Sequence, residues 1–289
     1  LTRSHAQGIF HAPSVVGSLA MGVTCVIITA GIDLSIGTVM TFSAVMTGVF
    51  ITNLGVPWPV GLFGGILAGT LMGAINGTLV ARFGLPPFIA TLGMLNIARG
   101  LALVISELRP IYFNDQPGFN EFFMGSFLEQ MGLPDVPNLV FVFFGVAIVA
   151  GFILSKTVLG RYIFAIGSNE EATRLSGVRT VRYKASAYVI SGTMAGIAGV
   201  VIAARLNSAQ PAVGFGYELD AIAAAVIGGT SLAGGEGSIF GTVIGAFIIS
   251  VLTNGLRLLG VPQEWQITIT GIIVILAVYL DILRRRRNG

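Results

Sequence analysis

The sequence predicts an all-α integral membrane protein, a polytopic helical bundle with broken helices. Hydrophobic residues make up 54% of the 289 positions and charged residues only 10%. A water-soluble domain carries about 25% charged residues, so this chain cannot cover a water-facing surface of ordinary polarity. Apolar runs recur at close to the ~20 residues that a helix needs to cross a bilayer. The charges are gathered into short islands between those runs.

In order, spans are expected at 14–31, 35–52, 59–81, 87–106, 138–155, 183–204, 239–259 and 265–283. Residues 218–232 are apolar but short and close in Gly228-Gly229-Thr230. Cations stay on the cytoplasmic side during insertion. Lys156, Arg161, Arg174, Arg179, Arg182 and Lys184 therefore face the cytoplasm, as does the terminal Arg284-Arg285-Arg286-Arg287. The long polar loop from Arg109 to Asn138, which precedes both and carries Asp115, Glu121, Glu129 and Asp135, faces out. Lys184 and Arg284 then lie on one side, so an even number of crossings separates them, and 218–232 must cross as a short or broken helix. Counting backward puts Leu1 outside, so a first helix is expected to precede it, with about ten spans in the complete protein. All of 1–289 reads as one transmembrane domain, with a cytoplasmic segment at 157–182. Phe63-Gly64 with Asn76-Gly77, Gly84 and Pro86 parallels Phe240-Gly241 with Asn254-Gly255, Gly260 and Pro262 in the opposite sense. That pattern is consistent with an inverted-topology repeat.

Polar residues within the apolar runs are the candidates for a path or a helix break. An unpaired aspartate at the bilayer centre costs roughly 2.5–3.5 kcal/mol, so Asp33 needs a compensating role. It can cap the helix that begins at Ser35, line a pathway, or do both at a broken helix. Glu218 and Asp220 stand at the mouth of the short helix, where the helix dipole favours acids and where a polyhydroxylated ligand could also be received. Arg99 lies mid-span and is expected to face protein or water, with a helix C-terminus as its expected partner. Asn76 and Asn254 are expected to bond between helices rather than line a pore. The small residues of Ser191-Gly192-Thr193-Met194-Ala195-Gly196 let helices approach closely.

Several function classes find no support. Gly234-Gly235-Glu236-Gly237 lacks the Lys-Ser/Thr of a phosphate loop, and there is no metal-ligand spacing, nucleophile elbow or paired-acid arrangement. Cys25 lies alone in an apolar run and reads as packing. The net charge of +3 ends in a tetra-arginine tail that directly follows a span, so it reads as an orientation anchor rather than a nucleic-acid patch. The remaining island is Asn169-Glu170-Glu171-Ala172-Thr173-Arg174-Leu175-Ser176-Gly177, a short polar helix-former with a glycine to end it. Spanning a membrane does not call for such a segment; contact with something in the water does.

Three motifs follow one another in order: Gly31-Ile32-Asp33-Leu34-Ser35-Ile36-Gly37, then Ala165-Ile166-Gly167-Ser168-Asn169-Glu170-Glu171-Ala172 with Arg174 to Gly177, then Tyr217-Glu218-Leu219-Asp220-Ala221-Ile222 running into Gly228-Gly229-Thr230-Ser231. Together they resemble the ribose/xylose/arabinose-type permeases of bacterial ABC importers. Arg205-Leu206-Asn207-Ser208-Ala209-Gln210-Pro211 and Asn254-Gly255-Leu256-Arg257 look closest to the ribose branch, and the family's first helix is absent. The resemblance implies a multi-pass protein of the bacterial inner membrane, with its C-terminus cytoplasmic, that forms the path for a monosaccharide such as a pentose. It implies a second permease copy, a cytoplasmic ABC ATPase of a kind often fused as a tandem, and a periplasmic sugar-binding protein. The chain itself would be non-catalytic and hold no cofactor or metal, with ATP and Mg in the partner ATPase. Carried across, Asn169, Glu170, Glu171, Ala172, Arg174, Leu175 and Gly177 would form the helix that couples to that ATPase. An ion-coupled secondary transporter, using Asp33, Glu218 and Asp220 as ion carriers, is the rival reading; a passive channel is a third.

Overall fold

The computed structural model describes residues 3–114, 117–130, 132 and 135–288. Its long helices are α1 (Arg3–Ile28), α2 (Ile36–Gly48, continued by a π-helical turn Val49–Asn53), α3 (Trp58–Ala81), α4 (Pro87–Ile105), α7 (Asn138–Lys156), α10 (Thr180–Leu206), α12 (Ile239–Leu258) and α13 (Gln263–Asn288). Shorter helices are α5 (Pro117–Met124), α6 (Phe127–Gln130), α8 (Val158–Ser168), α9 (Glu170–Leu175) and α11 (Tyr217–Ile227). Among the described residues, 6 helices are long and apolar enough to cross a membrane.

Burial places α10 and α2 at the centre, with α3, α7 and α12 presenting most of their surface outward. A helix that is apolar all round can be central or face lipid, and neighbours decide which. For α10 the neighbours come close because its facing residues are small. Gly69, Gly73 and Gly77 recur every four residues on one face of α3 and meet the backbone of Gly192, Tyr188 and Ala185. A Cβ on any of the three would overlap backbone atoms of α10. The small-residue stretch of α10 therefore acts as the packing surface that its composition predicts.

The same register shows direction. α3 runs antiparallel to α10, and α2 runs parallel to it, since Asp33 lies by Ser191 while Met40 and Ser43 lie by Gly199. α1 is antiparallel to α12, with Gly17 beside Ala246 and Thr24 bonded to Thr242 at 2.8 Å. α3 and α12, the two parts of the suspected repeat, consequently run in opposite senses.

The eight predicted spans reappear as helices with shifted ends, six of them long and apolar enough among the described residues to cross a membrane. α1 continues through Pro13 to Arg3, because one proline removes a hydrogen bond without ending a helix held by its neighbours. The loop between α4 and α7 is less loop-like than its acids suggest. Phe119 and Phe123 of α5, with Phe113, are buried, and the Trp58 ring meets those of Phe119 and Phe122 in tilted contacts at 6.4 and 5.3 Å between centroids. Aromatic burial outweighed the polar composition there. Asp115 and the side chains of Arg284 to Arg287 lie outside the described residues. A two-residue ladder, β1 (Ile111–Tyr112) with β2 (Ser208–Ala209), joins this loop antiparallel to the end of α10, which the sequence did not announce.

α11 occupies the stretch expected to make the broken crossing. At about 1.5 Å per residue its eleven residues span roughly half of a ~30 Å hydrocarbon core. It starts beside Gly37, at the start of α2, and ends with Gly228 against Gly241, at the start of α12. An irregular stretch from the β2 ladder to Gly216 supplies the other half.

Candidate functional site

The polar island folds as a two-helix hook. Thr157 caps α8, its hydroxyl accepting from the Gly160 amide at 3.3 Å. Gly160, Ile163 and Ile166 form the buried face of α8, as a spacing of three residues on a helix demands. Asn169 then breaks the chain direction. Its backbone is extended, it closes α8, and its Oδ1 accepts from the Ala172 amide at 2.9 Å to open α9. Glu170 and Glu171 occupy the first turn of α9, where the dipole favours them. Gly177 ends the hook at φ +82°, a conformation that side-chain-bearing residues avoid, and its amide donates to the Arg174 carbonyl.

Two ion pairs fix the hook. Arg174 meets Glu171 at 2.6 Å on the exposed side, while Lys184 of α10 meets Glu170 at 2.8 Å. Hydrogen bonding to Arg174, then its charge, lowers the Glu171 carboxyl pKa; the same contact raises that of Arg174. Thr173 is the buried side chain of α9, whereas Ala172 is exposed and Leu175 is 76% exposed. An apolar leucine between charges on a stiff, capped turn is a contact surface without a partner among the described residues.

The hook is wedged into the bundle at Gly167. A Cβ there would overlap the Ile28 carbonyl oxygen, at the end of α1, and would crowd the Gly235 amide. Gly235 itself donates to the Ile28 carbonyl at 2.9 Å. The end of α8, the end of α1 and the 228–238 turn thus share one point.

Beyond that point lies the start of α2. Asp33 is 1% exposed. Its Oδ1 accepts from the Ser35 amide at 3.0 Å and the Ser35 hydroxyl at 2.7 Å, and its Oδ2 accepts from the Ser191 hydroxyl at 2.8 Å. Asn76 of α3 donates to the Ser35 hydroxyl oxygen at 2.9 Å. Asp33 thus sits upstream of the N-cap position, which Ser35 holds without bonding forward into the helix. The carboxylate pins α2 to α10 and, through Ser35, to α3.

The two acids of α11 part company, since residues two apart on a helix point about 200° apart. Glu218 is buried, lies against Gly37 and folds back to accept from the Gly216 amide at 3.1 Å. Asp220 lines a cavity on the other side. Arg99 has an aromatic partner rather than a helix end: its guanidinium lies 5.0 Å from the Phe215 ring centroid. Asn76 bonds between helices as expected; Asn254 is half-buried on α12. Sequence reasoning missed Ser191, read only as packing, and Gly167, because each acquires its role from residues far away in the chain. Among the described residues no group of three or more His, Cys, Asp or Glu could hold a metal ion.

Residues 8–278 match the family model described as branched-chain amino acid transport system / permease component. The chain belongs to this permease family. Its relatives include the ribose import permease protein of Escherichia coli K12, 42% identical over 97% of this chain and 86% of that protein. The ribose import permease protein of Bacillus subtilis 168 is likewise 42% identical, over 92% of this chain and 80% of its own length. The L-arabinose ABC transporter permease protein of Azospirillum brasilense is 36% identical over 100% of this chain and 83% of that protein. The chain is therefore a multi-pass membrane permease subunit.

Proposed function

We propose that the chain is the transmembrane subunit of an ATP-binding-cassette importer and forms the path for a monosaccharide, ribose or a similar pentose. Relatives named as ribose and arabinose permeases support the cargo class. The partners are a second permease copy, a cytoplasmic ABC ATPase that holds ATP and Mg, and a periplasmic sugar-binding protein. The membrane is the bacterial inner membrane, with the hook and C-terminus in the cytoplasm and the β1–β2 ladder outside.

The observation that carries this reading is the hook: an exposed, rigid α9 bearing Ala172 and Leu175, joined to the bundle through Gly167. Closure of the ATPase moves α9 as a body. Gly167 passes the displacement to Ile28 and Gly235, because that contact leaves no slack. The α1–α2 turn follows, and Asp33 carries it to α2 and α10 together. The start of α2 and the start of α11 then shift against each other at Gly37 and Gly214, whose backbones touch. Such a packed pair favours two discrete arrangements over continuous deformation, as access switching requires.

Reconstituted transporter tests the reading. Uptake should stop on removal of ATP while a membrane potential is maintained, and should survive collapse of the potential by ionophore. Uptake that follows the potential instead assigns the chain to the ion-coupled class.

A further inference from the structure

A cavity of about 750 Å³ lies at the end of the bundle opposite the hook, and neither the hook nor the Asp33 pin uses it. It is bounded by the end of α10, the start of α11, the outer half of α12 and the start of α13. Its volume falls within the roughly 300–1,000 Å³ of small-molecule sites.

Ser250 of α12 is the informative group. It lines the cavity, is 3% exposed, and its hydroxyl has no hydrogen-bond partner. Buried hydroxyls are nearly always paired, so an orphan on a cavity wall marks a place for an outside polar group. The other polar lining is mixed. Asp220 offers a carboxylate, Arg205 and Arg257 offer guanidinium donors, Thr253 a hydroxyl and Gln266 an amide, with Phe215 supplying an aromatic face. A carboxylate on the wall opposes an anion, and guanidinium groups oppose a cation. A neutral ligand that donates and accepts on several sides satisfies all of them, and a carbon-hydrogen face of such a ring suits Phe215.

We propose that this cavity is a monosaccharide site within the single permease chain, where a neutral polyhydroxylated ring donates hydroxyls to Asp220, accepts from Arg205 or Arg257 and pairs with Ser250. The proposal rests on the sugar-importer reading. It adds a station at the receiving end of the path, occupied after the binding protein lets go and before the helices switch.

The test uses the whole transporter in nanodiscs, without the binding protein, and D-ribose as the probe. Saturation-transfer NMR should detect ribose, with apparent affinity falling at least tenfold in Asp220→Asn and severalfold in Ser250→Ala. Ser250→Ala removes one orphan hydroxyl and no packing group, so it keeps the test alive should Asp220→Asn insert poorly. No ribose signal in the unaltered transporter, or an equal signal in Ser250→Ala, overturns the site. Displacement of ribose by inorganic phosphate at lower concentration also overturns it, in favour of an anion. ATP-driven uptake with the binding protein present, alongside an absent ribose signal, sinks the cavity site and leaves the importer reading standing. Loss of both ATP-driven uptake and stimulated ATPase activity sinks the importer reading itself.

Discussion

Asp33 and Ser191 are 158 residues apart in sequence, yet the serine hydroxyl donates to the Asp33 carboxylate across 2.8 Å in the interior of the bundle. That bond and the two from Ser35 satisfy a polar group that hydrocarbon would otherwise exclude. It also makes the break between α1 and α2 a fixed hinge point rather than a loose turn. Removing the carboxylate leaves the buried Ser35 amide without its acceptor, whereas the two serine hydroxyls can rotate, and Asp33→Ala should therefore lower stability by about 1–3 kcal/mol, the cost of one unsatisfied buried donor. Asp33→Asn keeps the acceptor for Ser35 and should retain most transport. Thermal unfolding in detergent and uptake in vesicles check the pair; complete loss of transport in well-folded Asp33→Asn would instead place this carboxylate in the pathway.

Gly37 and Gly214 touch backbone to backbone where α2 and the stretch before α11 meet. A Cβ on either glycine would overlap the other's carbonyl oxygen. Gly214→Ala should cost about 1–3 kcal/mol, the range for overpacking, and should cut uptake at least tenfold while α9 still binds its ATPase. Co-purification of the ATPase together with normal uptake would contradict a role for this contact in switching.

The hook should respond alike to its end residue and to the ion pair on its exposed face. Gly177 holds a left-handed conformation that proline cannot adopt, and Glu171 pairs with Arg174. Gly177→Pro and Glu171→Lys should each abolish sugar-stimulated ATP hydrolysis without lowering membrane insertion. ATPase assays beside membrane-fraction blots read both quantities, and wild-type stimulation in either variant counts against coupling through α9.

Glu170 and Lys184 tie the hook to α10 by a single partly exposed ion pair. Such pairs contribute about 0–1 kcal/mol, so their effect should be on coupling geometry rather than stability. Lys184→Glu should reduce coupled uptake severalfold with unchanged melting temperature, and the exchange Glu170→Lys with Lys184→Glu should restore it. Failure of the exchange to restore uptake would remove the pair from the coupling route.

Gly167→Ala tests the wedge. Its added methyl meets the Ile28 carbonyl, which cannot move without shifting the end of α1. ATPase binding should persist while ATP hydrolysis no longer responds to sugar. A response equal to that of the unaltered protein would mean that force reaches α2 by another route.

Which parts of this were written in the chain can be told from particular residues. The long helices α2, α3, α4, α7, α10 and α12 were legible because a bilayer demands long apolar runs, and α9 was legible because Asn169, Glu170, Glu171 and Gly177 are local signals for starting and ending a helix. Composition settled the membrane class, and small residues in α10 announced close packing. The tertiary structure alone decided that Ser191 holds Asp33, that Gly167 meets Ile28, that Arg99 lies over Phe215, and that Glu218 and Asp220 face different surroundings. It also turned an acidic loop into aromatic helices and gave Ser250 a cavity. The division has one physical cause: periodicity and capping act within a few residues of chain, whereas a buried polar group acquires its partner only when helices distant in sequence come into contact.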